Sequence, residues 1–238
     1  MKRYADVKEL LEAVEQDVIY IESAYDGARR DEEVQQVVRP KIKCCLESLR
    51  SSLEYFAQDI WESYTKKQNK IYFPYGATEE NFLNNQRKNL PAVDTQAPEC
   101  FALIRSIQQF ECGDSWLVDL CKLVNINKHK QLSAQTRRNS AGSTTALGNI
   151  IKMGLGDATF INCSVNGAPL AKSGKLVLSS DRKVSDMTAD LLAPVPILRE
   201  YEWVNFEIGE DPVDALKLIQ RCRVQITDFG EKLHSVLA

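Results

Sequence analysis

Asp114-Ser-Trp-Leu-Val-Asp-Leu-Cys-Lys-Leu-Val-Asn-Ile-Asn-Lys-His-Lys-Gln-Leu132 is the stretch around which the chain is organised. Asp114 or Ser115 supplies a short side-chain oxygen able to accept from a free N–H at a helix start. Trp116, Leu117, Leu120, Leu123 and Val124 then recur at helical spacing, so the expectation is an amphipathic helix with one apolar face. It should run to about Asn127 and could reach His129. Its far end is polar and cationic, with Asn125, Asn127, Lys128, His129 and Lys130 close together.

Upstream lie two longer helical patterns. Over residues 5–30, Val7, Leu11, Val14, Val18, Ile21 and Tyr25 form one seam. After the turn Asp31-Glu32-Glu33, Pro40 suits the first turn of a second helix reaching about Lys66, with Ile42, Cys45, Leu49, Leu53, Phe56, Ile60 and Tyr64 as its seam. A short polar turn between long amphipathic helices predicts an antiparallel pair. Residues 67–97 lose the period: Ile71 to Gly76 reads as extended, Thr78 as the cap of a short helix, and Leu90-Pro91 and Ala97-Pro98 as the bounds of a loop. A further helix is expected over Pro98–Gln109.

Downstream the character changes. Asn139–Ala146 is small and polar and reads as a mobile loop. Thr159–Val165, Lys175–Ser179 and Trp203–Ile208 read as strands, and Asn166-Gly167 as a tight hairpin turn. Leu192–Ile197 is an edge strand or loop because of its prolines. Asp211-Pro212 is expected to open the last helix, with Leu216, Ile219, Cys222, Ile226, Phe229 and Leu233 as its stripe. The expectation is one α+β domain over residues 1–238: an antiparallel helical bundle, 1–132 plus 211–238, with a small antiparallel β-sheet, 147–209, inserted before the C-terminal helix.

The chain has 238 residues, 44% hydrophobic and 26% charged, with a formal net charge of −3. Bulk charge therefore excludes a general polyanion binder and leaves only a local patch. No apolar run reaches membrane-span length and the N-terminus does not read as a signal peptide, so a cytoplasmic protein with no membrane association is expected. Seven cysteines, with no C-x-x-C pair, read as reduced, buried thiols. The two histidines are far apart, which predicts no metal site, and no common phosphate-cradling loop predicts no cofactor.

Between Asp119 and Asp157 there is no acidic residue, while Lys122, Lys128, Lys130, Arg137, Arg138 and Lys152 fall there with His129. The candidate nucleic-acid-binding residues are Asn125, Asn127, Lys128, Lys130, Arg137 and Arg138, which suit phosphate and base contacts. The alternative is a solvated surface that offsets the acidic helices. His129 is the candidate general base, with Lys128 and Lys130, or Arg50, as phosphate-stabilising groups. The plainer alternative is a helix-end histidine bonded to the last carbonyls. His234 is expected at the surface.

Leu49-Arg50-Ser51-Ser52-Leu53-Glu54-Tyr55-Phe56-Ala57 resembles the LRSALDHLA helix of a widespread uncharacterised bacterial family. Phe73-Pro74 and Glu79 to Phe82 resemble its FPI and eF segments, Phe101 to Phe110 its i..lQPY segment, and Leu120 to Leu132 its L.NIDKHR.L. The resemblance runs collinearly over about residues 45–132. Asn127 stands where that family commonly has Asp, and Lys130 where it has Arg. The helical part in turn resembles HEPN bundles, several of which are RNases of toxin and phage-defence systems that use Arg, four to six residues, then His. No Arg stands at that spacing before His129 or His234. The resemblance thus implies a non-enzymatic binding protein of a bacterial defence or toxin–antitoxin system, with RNA, another phosphate-bearing ligand or a partner protein as its target. Two alternatives are a divergent metal-independent ribonuclease using His129, and a purely structural homodimer. A homodimer is the expected assembly.

Overall fold

The computed structural model describes residues 1–129 and 132–237, with the side chain of His129 outside the description. The chain is α+β and divides into two compact units. One comprises residues 1–22, 38–134 and 207–238, the other 23–37 and 135–206.

The first unit is helical. Within it, α1 (Tyr4–Arg29, continuing into the second unit) runs antiparallel to α2 (Arg39–Tyr64). Arg3 pairs with Asp59 at one end of this pair at 2.7 Å, and Lys41 with Asp17 at the other at 2.7 Å. Every expected seam residue of α1 is buried, as are those of α2 up to Ile60. Short helices follow: α3 (Glu79–Asn89), α4 (Val93–Gln96), α5 (Pro98–Ser106) and α6 (Gln109–Cys112). Thr78 caps α3 by accepting from the Asn81 N–H. The expected loop before Pro98 thus holds a helical turn, α4, and Pro98 does start α5. The segment 71–76 is extended but has no strand partner among the described residues. Gly76 is needed there because a Cβ would lie 2.4 Å from the Phe82 backbone nitrogen.

The helix of the opening stretch is α7 (Trp116–His129). Asp114 accepts from the Trp116 N–H at 2.9 Å, and the five expected core residues are all buried. The last helix, α9 (Ala215–Leu237), returns along α1: Gln220 donates to Glu22, Arg223 pairs with Glu15, and the His234 ring stacks on Tyr4 with centroids 4.3 Å apart. His234 is therefore not a plain surface residue, and its Nδ1 is buried without a hydrogen-bond partner. Asp211 does not cap α9. Residues Val213–Asp214 first form β10, paired with β9 (Val213↔Ile208, Asp214↔Glu207), and Asp214 then accepts from the Lys217 N–H. Strand pairing uses the backbone that Asp211-Pro212 would have needed for an earlier start.

The second unit carries small antiparallel sheets rather than one. Its strands are β1 (Thr136–Asn139), β2 (Ser143–Leu147), β3 (Ile151–Met153), β4 (Asp157–Ile161), β5 (Ser164–Val165), β6 (Ala168–Pro169), β7 (Lys175–Ser179), β8 (Ile197–Tyr201) and the first part of β9 (Val204–Ile208), with α8 (Val184–Ala189) between β7 and β8. The sheet orders include β3-β2-β8, β4-β7 and β5-β6. Asn166 and Gly167 take φ of 52° and 80° in the β5–β6 turn, the two left-handed residues a tight hairpin requires. Contrary to the expected loop, Ser143–Leu147 is a strand paired along its whole length with Ile197–Tyr201. Thr145 is buried and accepts from Arg199. Local composition does not show that pairing, because the partner lies some fifty residues downstream. The core of this unit is Leu147, Leu170, Leu176, Leu178, Met187 and Ile197.

Candidate functional site

Three side chains of α7, Cys121, Asn125 and Lys128, fall within about 60° of one another around the helix. They face a polar cluster supplied by α2 and the extended segment. Arg50 and Glu54 stand one turn apart on α2 and form an ion pair at 2.5 Å. The unpaired backbone of Phe73 needs partners, because it belongs to no sheet. Its N–H donates to the second Glu54 oxygen at 2.6 Å, and its carbonyl accepts from Arg50 at 3.3 Å. The other Arg50 terminal nitrogen donates to Cys121 Sγ at 2.7 Å, and the guanidinium lies over the Tyr75 ring, 5.3 Å from its centroid. Burial pushes the pKa of the Tyr75 hydroxyl up, and Asn125, which stands near it, pulls slightly the other way.

Burial dominates the electrostatics. It pushes the Cys121 thiol up to about 12 even though Arg50 pulls the other way, so Cys121 is a neutral acceptor. Burial also raises the Glu54 carboxyl, against the opposing effects of Arg50, the Phe73 N–H and Lys128. Arg50 is only 12% exposed, and its terminal nitrogens are engaged by Glu54, Phe73 and Cys121. A phosphate could reach it only by displacing these partners. The cluster is a fixed polar floor.

At the helix end, Asn127 is buried, and its Oδ1 accepts from both the N–H and the hydroxyl of Ser133 at 2.9 Å. Arg39 holds the Ser133 and Leu132 carbonyls. Asn127 is thus a latch for the chain leaving α7, a role that needs an acceptor. Asn125 and Lys128 are exposed, and Lys128 has no ion-pair or hydrogen-bond partner among the described residues. His129 is the last residue of α7. Its side chain, and Lys130 altogether, lie outside the described residues.

Arg137 and Arg138 belong to the second unit, on β1. Arg137 donates to the carbonyls of Asp31, Val34 and Ala28, and to Asn139, so it caps the end of α1. Burial lowers its pKa. Arg138 is exposed. Of the expected residues, then, Asn125 and Lys128 stand together as an accessible surface, while Asn127 and Arg137 are spent on their own chain. Glu54, Tyr75 and Cys121 were not expected in the cluster. The available signal was the spacing of Arg50 and Glu54, each beside a core leucine of α2.

Among the described residues, no group of three or more His, Cys, Asp or Glu is placed to hold a metal ion, and no helix is long and apolar enough to cross a membrane. No family model, curated protein or solved structure matches the chain.

Proposed function

We propose that the chain is a non-enzymatic binding protein on an HEPN-like helical bundle, and that RNA meets it at the end of α7. The observation that carries this reading is the exposed Lys128, without a partner among the described residues, beside exposed Asn125 and above a cluster whose charged groups are already engaged. An ammonium available to a phosphate and a carboxamide available to a base are binding chemistry. Arg50 and Glu54 hold each other and the backbone of Phe73, which leaves little for catalysis. The resemblance of residues 45–132 to the bacterial family described above supports a cytoplasmic setting in defence or toxin–antitoxin biology. The negative end of the α7 dipole opposes an anion here, so modest affinity with a strong salt dependence is expected.

The test is binding of labelled single-stranded RNA across a salt series. Lys128→Ala should weaken binding evenly across sequences and lower the salt slope by about 0.7. RNA that is not retained even at low salt would sink the reading. One observation favours a second reading, a ribonuclease: the raised Glu54 carboxyl lies within the field of Lys128, near the helix that ends in His129, and a carboxyl tuned upward suits acid–base work. RNA cleavage that disappears in both His129→Ala and Glu54→Gln would replace binding with catalysis.

A further inference from the structure

Beside Asn125, on the flank of α7, the first unit holds a cleft of about 320 Å³. Its wall is apolar where Leu123, Ile126 and Val213 line it, and its rim carries three carboxylates, Asp119, Glu210 and Asp211, against one ammonium, Lys122. Gly209, at φ 91°, brings the chain close to Leu123: a Cβ there would stand 3.3 Å from Leu123 Cδ2. A second cleft of about 420 Å³ shares Asp119, Lys122, Asp211 and Val213, and continues past Val118 to Arg221, whose guanidinium is paired with Asp114, so the excess of carboxylates belongs to the first cleft. Together they follow α7 from Val118 to Ile126, about 12 Å of helix.

The partners of the rim charges decide its sign. Lys122 is used by Asp211 at 3.1 Å. Among the described residues, the Asp119 carboxylate accepts from the Ser115 hydroxyl, at 2.7 Å, and has no cationic partner. Glu210 has no cationic partner among the described residues. A phosphate is repelled here. A ligand that fits must bring positive charge to the rim and hydrocarbon to the wall.

The geometry points to a linear aliphatic polyamine as the occupant of this cleft, its ammonium groups on Glu210 and Asp119 and its methylene runs against Leu123, Ile126 and Val213. The inference is independent of the RNA-binding reading. That surface needs an anion-seeking ammonium at Lys128; this one needs unpaired carboxylates, and either can fail alone.

Spermidine titrated calorimetrically into the full chain should bind at one saturable site, more weakly as salt rises. Glu210→Gln, at an exposed and unpartnered position, should weaken it about two- to five-fold. Lys122→Ala should act in the opposite direction and tighten it by a similar factor, because Asp211 is released from its internal ammonium. The uncharged 1,8-octanediol should not bind saturably. The inference is overturned if spermidine does not saturate, if Glu210→Gln leaves its affinity unchanged, if Lys122→Ala weakens it, or if magnesium chloride at matched charge displaces it as well as a second polyamine does.

Discussion

Glu62 shows how much one side chain depends on its partners. Hydrogen bonds from Arg3, at 2.6 Å, and then Lys2, at 2.9 Å, hold its carboxyl down at about 2. A carboxyl depressed in the folded state stabilises it fully above the ordinary value of 4.5, and that contribution is lost as pH falls towards 2. Glu62→Gln should therefore narrow the stability gap to the parent across this window and leave no residual difference below it. Urea denaturation at a series of pH values measures this, and added salt should shrink the gap at neutral pH because the pair is partly solvated. Asn127 carries a second lesson at this scale. As a residue type it reads as a ligand contact. In the fold, its oxygen is used twice by Ser133.

Helix packing sets the signs at the level of elements. Gly230 sits in α9 where a Cβ would stand 2.6 Å from the Phe56 ring. Alanine gains about 1 kcal/mol of helix propensity, but overpacking a buried ring costs about 1–3 kcal/mol. Gly230→Ala should thus destabilise, by up to about 2 kcal/mol. Gly27, in α1, has nothing within 4 Å of a Cβ, so Gly27→Ala should stabilise by about 0.5 kcal/mol. Thermal melts of the two variants should move in opposite directions. Arg137 ties β1 to the carbonyls at the end of α1. Arg137→Gln should cost about 2 kcal/mol through those charge-assisted bonds. A variant that keeps full stability in urea but loses RNA affinity would make Arg137 a ligand contact instead. The elements also show where pattern reading stops. Seams at helical spacing place α1, α2, α7 and α9, since burial of one face repeats along the chain. The strand Ser143–Leu147 and the short helix Val184–Ala189 carry no such repeat and exist through their tertiary partners.

For the whole molecule, the cysteines give the most direct readout. Composition suggests buried thiols throughout, but Cys44, Cys112 and Cys163 are exposed, while Cys45, Cys100, Cys121 and Cys222 are buried. Burial pushes Cys45 and Cys121 up to about 12, which keeps them protonated and slow to react. A thiol reagent should consume three groups quickly in the native protein and all seven after denaturation. Fast reaction of more than three would mean that the helical core opens readily. Net charge is a poor guide at this scale. A formal −3 conceals an exposed ammonium at Lys128 and a carboxylate-rich cleft on the same helix.

The sequence by itself determined the α+β class, the four long helices and their buried faces except at Tyr64 and Leu216, which are half-buried, the Asn166-Gly167 turn and the position of the polar end of α7. These follow from periodicity and from local backbone preferences, which are properties of neighbouring residues. Only the tertiary structure decided which polar side chains remain available. Arg50 and Arg137 are consumed by groups distant in the chain, and Asn127 by Ser133 six residues on, where the chain leaves α7, since a buried polar group must find a partner wherever the fold supplies one. The acidic cleft was equally hidden, because Asp119 meets Glu210 and Asp211 only after the chain has returned through β9.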